Sequence, residues 1–202
     1  MQSFLTIASV LIFFHSYLFI GAKPTGTLLP GSPSKTGPSK IFPYRKYEDF
    51  QISDGVAGQS LENAQKVFVT PFEGKLSEIT QTDLNNLVAM SIEAIQNEQR
   101  FNQAQGKTGG SKKNGNQALA AGKTANKVLK LVGEIQVLEL HKKLNLQQLA
   151  DPEARLKEHQ VKLAKNTKLD RANRGKKMVS FLSVGASGEK DNKEKKSHKG
   201  NK

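Results

Sequence analysis

Apolar positions recur at helical spacing in four stretches of the chain. Ala57, Leu61, Ala64 and Phe68 predict a short helix to about Val69, which Pro71 and Gly74 then stop. Leu84, Leu87, Val88, Ser91, Ile92 and Ile95 trace one face of a second helix reaching Gln105. Thr80, followed three residues later by Asp83, resembles a capping box at its start. The third helix is predicted from Asn116 to about Leu149. Its stripe of Ala118, Ala121, Ala125, Val128, Val132 and Ile135 is widened by Leu129, Leu131, Val137, Leu138 and Leu140. A helix apolar on most sides is a buried one. Gly122 and Gly133 each cost it about 1 kcal/mol relative to Ala, though a glycine also lets a neighbour approach closely.

Asp151-Pro152-Glu153 announces the fourth helix: an N-cap carboxylate, a proline whose missing N–H is not needed, and an early acid favoured by the helix dipole. Leu156 and Leu163, with Val161 and Leu169, give it a thin apolar side. Glu153/Lys157, Glu158/Lys162 and Asp170/Arg174 have acid-first i,i+4 order. The expectation is a peripheral, solvent-facing helix. Met178 to Val184 reads as a short extended segment or an apolar clasp on the bundle. Ser53-Asp54-Gly55 reads as a turn, and Gly106 to Gly115 as a flexible loop.

Together these segments predict an all-α fold, a small bundle of about four helices spanning 47–184. A Pro-rich disordered lead precedes it, and a basic disordered tail, 185–202, follows. Residues 23–46 carry Pro24, Pro30, Pro33, Pro38 and Pro43 with interspersed glycines. They read as a linker, a stalk or a pro-segment ending near Arg45-Lys46.

Residues 1–22 have a different character. Phe4 to Ile20 is apolar but for a few hydroxyls and His15, and a small residue, Ala22, precedes Lys23-Pro24. This is the pattern of a secretory signal peptide cleaved after Ala22. The competing reading is a membrane anchor, but the run is 17 residues from Phe4 to Ile20, whereas a spanning helix uses about 20. No later stretch approaches membrane length, so no transmembrane span is expected after signal removal. The chain has no cysteine, so stability must come from packing rather than from the disulfides common in small secreted domains. It also lacks an N-x-S/T sequon.

Charge separates the two ends of the chain. Residues 23–106 hold 8 Lys+Arg against 9 Asp+Glu, residues 107–140 hold 6 against 2, and residues 141–202 hold 17 against 7. The net charge of +13 thus resides mainly in the C-terminal third, which suggests attraction to an anionic surface. The candidate contacts are Lys142, Lys143, Lys157, Lys162, Lys165, Lys168, Arg171, Arg174, Lys176 and Lys177. The plainer reading is a solvated helix face followed by a solubilising tail.

Catalytic chemistry finds little foothold. The tripeptides Gly106-Lys107-Thr108 and Gly122-Lys123-Thr124 lack the glycine that a phosphate-binding loop needs five positions earlier, where Phe101 and Gln117 stand. His141, His159 and His198 form no metal-ligand spacing, and His141 and His159 read as helix-surface residues. Gly185-Ala186-Ser187-Gly188-Glu189 lacks the closing glycine of a nucleophile elbow. No cofactor or metal is expected. Tryptophan is absent and aromatics are 6% of residues, so the chain lacks the platforms that sugar or single-stranded nucleic-acid binding by stacking would use.

Asp49–Gly58 (DFQISDGVAG), Lys123–Leu131 (KTANKVLKL) and the segment from Leu163 to Phe181 resemble the corresponding parts of a family of fungal small secreted proteins, cysteine-free and helical. The resemblance implies export and a candidate-effector role at a host interface, and brings no catalytic residues. The leading expectation is therefore a secreted, non-enzymatic interaction protein whose partner is an unidentified host or cell-surface protein. One alternative is a binder of nucleic acid or acidic glycan through the basic C-terminal third. In a variant of it, Arg174, Lys176, Lys177 and the terminal lysines serve nuclear import inside a host cell. A further alternative is a secreted hydrolase with an unrecognised site.

Overall fold

The computed structural model describes residues 37–107, 113–146 and 151–183. The leader, residues 23–36 of the lead, and the tail beyond Ser183 lie outside the described residues, as do residues 108–112 of the expected glycine-lysine loop.

The described residues form four substantial helices: α2 (Ser60–Phe68), α3 (Gln81–Lys107), α4 (Lys113–Lys143) and α5 (Pro152–Ala172). A single turn, α1 (Tyr47–Phe50), precedes them, and 3₁₀ turns at Thr70–Phe72 and Leu76–Glu78 link α2 to α3. The fold is all-α apart from a minimal antiparallel ribbon. In it β1 (Gly55–Val56) pairs with β2 (Lys177–Met178), Gly55 opposite Met178 and Val56 opposite Lys177.

Helix α4 is the centre, packed against α2, α3, α5 and β2. Its breadth of apolar residues explains this. Leu119, Ala125, Val128, Leu129, Leu131, Val132, Val137, Leu138 and Leu140 are all buried, and each fully buried Val or Leu side chain favours the fold by about 1.5–3 kcal/mol. Ala118 and Ile135, expected in the stripe, are half-buried. The helix starts at Lys113, inside the expected loop, and ends at Lys143, short of Leu149. Asn145 has a positive φ of 50°, and Leu146 N–H closes back on the His141 carbonyl at 3.0 Å, a left-handed termination.

Gly122 and Gly133 of α4 are close-approach points. At Gly122 a Cβ would run into the Val179 carbonyl oxygen and sit 2.9 Å from that of Ser53. At Gly133 it would lie 2.6 Å from Ser91 Oγ and 3.1 Å from the Phe68 ring. The segment after β2 is therefore clasped directly onto the α4 backbone, and Val179 N–H donates to the Ala118 carbonyl at 3.1 Å. Phe181 completes the clasp, stacked 5.8 Å from Tyr47 and edge-on to Phe101 at 5.0 Å.

Helix α3 begins with the expected box. Asp83 N–H donates to Thr80 Oγ1, while Thr80 N–H and hydroxyl donate to Asp83 Oδ2. Its buried face runs through Leu84, Leu87, Met90, Ser91, Ala94, Asn97 and Phe101. Val88, Ile92 and Ile95 lie at its half-buried margin.

The packed unit begins before Tyr47, which corrects the expected linker. Phe42 is 2% exposed and stacks on Phe72 at 4.9 Å. Asp83 Oδ1 gathers the N–H groups of Lys40, Ile41 and Phe42 and the Ser39 hydroxyl. Prolines discourage regular structure in this stretch, but here one carboxylate supplies the backbone partners that a helix or sheet would have given. Arg45-Lys46 sits between two core anchors, Phe42 and Tyr47, so a cut there would sever packed chain.

Helix α5 also differs in its inner face. His159, Thr167 and Asp170 are buried, with Leu156 and Leu163 half-buried between them. Val161 and Leu169 are exposed, at 65% and 47%. Asp151 caps the helix as expected, accepting from Ala154 N–H at 3.3 Å.

Candidate functional site

Three aspartates close the chain on itself and leave the basic groups to face outward. Asp83 holds residues 39–42. Asp54 Oδ1 accepts Ser180 N–H at 2.7 Å and the Ser183 hydroxyl at 3.2 Å. Asp170 accepts Gly58 N–H, Ser60 N–H and the Ser60 hydroxyl, at 3.0, 2.9 and 2.7 Å, placing a carboxylate at the N-terminus of α2 where the helix dipole favours it. Burial alone would push the Asp83 carboxyl up, but hydrogen bonds from Ser39, Thr80 and the backbone outweigh it and hold the group well below the usual carboxylate range.

With Asp170 turned inward, the expected Asp170–Arg174 pair does not form; Arg174 instead lies over Gly58, outside the helix. Glu153 meets Lys142 at 3.3 Å rather than Lys157. Of the three i,i+4 pairs expected on α5, Glu158–Lys162 is the one that forms among the described residues.

All ten basic candidates are exposed. Lys142, Lys143, Lys162 and Arg171 pair with Glu153, Glu139, Glu158 and Glu62. The other six, Lys157, Lys165, Lys168, Arg174, Lys176 and Lys177, meet no carboxylate among the described residues. Lys157, Val161, Lys165 and Lys168 share one outer strip of α5, about 16 Å long at 1.5 Å per residue.

Lys176 and Lys177 stand apart from that strip, on the rim of a groove of about 600 Å³ between α4 and the turn leaving α5. Ala118, Ala120 and Ala121 of α4 form its floor, with Gln117 and Thr124 beside them; Asn173 joins the two lysines on the facing side. The turn is firmly held. Ala57 N–H donates to the Lys176 carbonyl at 2.9 Å and Gly175 N–H to the Ala57 carbonyl at 3.1 Å, while Asn173 Oδ1 accepts from Lys176 Nζ at 2.9 Å. The second G-K-T tripeptide accordingly belongs to a helix interior, not to a phosphate loop. Gly122 admits the Val179 carbonyl, Lys123 Nζ reaches Gln105, and the Thr124 hydroxyl donates to the Ala120 carbonyl.

A second charged group was not singled out from sequence. Lys127 and Lys130 of α4 converge on Glu98 of α3. Burial would raise the Glu98 carboxyl, but Lys130 and then Lys127 and Lys123 prevail and hold it low. The i,i+3 spacing of the two lysines was visible; their partner on another helix was not.

His159 is 2% exposed, not the surface residue expected, and its Nδ1 lies 3.8 Å from Glu134 Oε2 on α4. Burial pushes the Glu134 carboxyl up to about 6 and the His159 imidazole down to about 4. His141 is half-buried. Among the described residues, no group of three or more His, Cys, Asp and Glu side chains is arranged to hold a metal ion. No helix among them is long and apolar enough to cross a membrane.

No curated protein and no solved structure matches the chain. Residues 42–182 match a family model described as a domain of unknown function, DUF8454. That match opens on Phe42, the first fully buried residue of the packed unit, and the chain belongs to this family.

Proposed function

We propose that the protein is exported and acts by binding rather than by catalysis, engaging an anionic partner surface through the outer face of α5 and the turn that follows it. The observation that carries this reading is the exposure of all ten basic candidates, six of them without a carboxylate partner among the described residues. A solubilising surface tolerates either sign of charge. Here Asp170 is spent inside the fold, which leaves the outer side of α5 with lysines and few acids. Export rests on the leader pattern of residues 1–22. The resemblance to fungal small secreted proteins makes a host interface the natural setting, with a host or cell-surface component as the partner.

The test is binding of residues 23–202 to an acidic polysaccharide and to duplex DNA across a salt series. Affinity for at least one of them is expected to fall steeply between low and physiological salt. Absence of binding to both, or binding indifferent to salt, overturns the proposal.

A further inference from the structure

The groove between α4 and the α5–β2 turn points to a more specific partner. We infer that it seats an acidic sugar unit of a polysaccharide, with Lys176 and Lys177 taking the anionic group and Gln117, Thr124 and Asn173 meeting neutral hydroxyls. The inference rests on the reading above for the sign of the partner, and adds its chemical class and its seat.

Shape argues first. The groove is a recess of about 600 Å³, and its lysines stand on the rim rather than on a convex helix. A nucleic-acid duplex is itself convex and meets proteins through protruding helices, strands or arms, so it would touch the α5 strip and bridge over this recess. A slim single chain can enter it.

Chemistry argues next. Single-stranded nucleic acid is held sequence-tolerantly by aromatic side chains on which bases stack; among the described residues no aromatic lines the groove, so a sugar would be held here by charge and hydrogen bonds rather than by stacking. The lining combines alanine methyls, two amides, a hydroxyl and two ammonium groups. That combination suits a ligand whose body bears C–H faces and hydroxyls and whose charge is local, as in a uronic acid or a sulfated sugar. Among the described residues the lining contains no carboxylate, so the charge complementarity is one-sided. Lysine supplies point charges on flexible stems rather than the planar fork of arginine, which fits carboxylate and sulfate alike. The site is also pre-formed. Gly122 lets the chain after β2 rest on the α4 backbone, and the Ala57–Gly175 and Ala57–Lys176 hydrogen bonds fix the turn that carries both lysines.

The test uses residues 23–202 titrated calorimetrically with four probes of matched length: an oligogalacturonate, a sulfated oligosaccharide, a neutral oligosaccharide and a single-stranded oligonucleotide. One or both acidic sugars are expected to bind, and the neutral sugar is not. The carboxylated and sulfated arms identify which anion is read. Lys176→Ala/Lys177→Ala should weaken binding at least about tenfold. Ala120→Phe, at an exposed floor position, fills the groove without altering charge and should weaken it comparably, with thermal unfolding confirming that each variant is folded. Lys157→Ala/Lys165→Ala removes the same charge from the α5 strip and should have the smaller effect. If Ala120→Phe binds like the wild type while both double variants lose equally, binding is diffuse; the groove assignment falls and the anionic-surface reading stands. Equal or tighter binding of the oligonucleotide with the same variant pattern overturns the acidic-sugar assignment. No binding to any charged probe removes both readings.

Discussion

Asp170, two residues before the end of α5, grips Ser60 at the start of α2 through both carboxylate oxygens, across 110 residues of sequence. The pair ties α5 to α2, and does so with an acceptor that is 2% exposed. Asp170→Ala strands two backbone N–H groups and a hydroxyl in a buried site. A loss of about 2–4 kcal/mol is expected from the lost acceptor and helix cap, read as the shift in urea midpoint. Asp170→Asn keeps one acceptor oxygen and should lose less. Equal stability of the alanine variant and the wild type would contradict this role.

Phe42 gives the second prediction. The comparison takes chains starting at residue 23, at residue 37 and at Tyr47, the first two of which keep Phe42. A chain starting at Tyr47 loses the Phe42 ring from the stack on Phe72 and Phe68, and with it the occupants of the Asp83 carboxylate. A penalty of about 3–5 kcal/mol follows from emptying an aromatic site in the core. Guanidinium unfolding of the three chains measures it.

Gly122→Ala separates helix propensity from packing. Alanine improves an exposed helix by about 1 kcal/mol, but here the new methyl meets the Val179 carbonyl oxygen. Net destabilisation of about 1–3 kcal/mol is expected from overpacking, together with faster amide exchange at Val179, whose N–H bonds the Ala118 carbonyl.

The Glu134–His159 contact predicts a pH response of two opposing signs. The imidazole is depressed in the fold to about 4, so its contribution is present above its ordinary value near 6.5 and is lost as pH falls through 4. The carboxyl is raised to about 6, so its contribution is present below its ordinary value near 4.3 and is lost as pH rises through 6. Between pH 6.5 and 4.5 the two slopes largely cancel in the wild type. His159→Gln should therefore gain stability on acidification across that window and Glu134→Gln should lose it, each relative to its own value at pH 7.5. Thermal midpoints across a pH series decide it, and parallel profiles in the two variants would overturn the assignment.

Below that window Asp83 takes over. Its carboxyl is held low in the fold, so the stability it contributes is present above the ordinary aspartate value near 3.9 and is lost as pH falls below it. Asp83→Asn should be less stable at pH 7 and show a flatter acid limb in the same thermal series.

Local rules reached those features whose causes are local. The Thr80–Asp83 box, the Asp151 cap and the burial of α4 each follow from residues within a few turns of one another. So does the suspicion that Gly122 and Gly133 admit neighbours. Phe42 escaped because the prolines around it argue against regular structure, and burial needs only an anchor. His159 and Asp170 were misread for a related reason: an i,i+4 partner is visible along a helix, whereas Glu134 and Ser60 become neighbours only after the bundle closes. The exposure of the lysines was legible in the charge pattern. The groove was not, since it exists only where α4 meets the turn after α5.

Three carboxylates, at Asp54, Asp83 and Asp170, join segments far apart in sequence, in a chain without a single cysteine. Closures of this kind are blind to thiols and oxidants. A protein stitched in this way keeps the same internal connections in an oxidising lumen, in open medium and in a reducing interior.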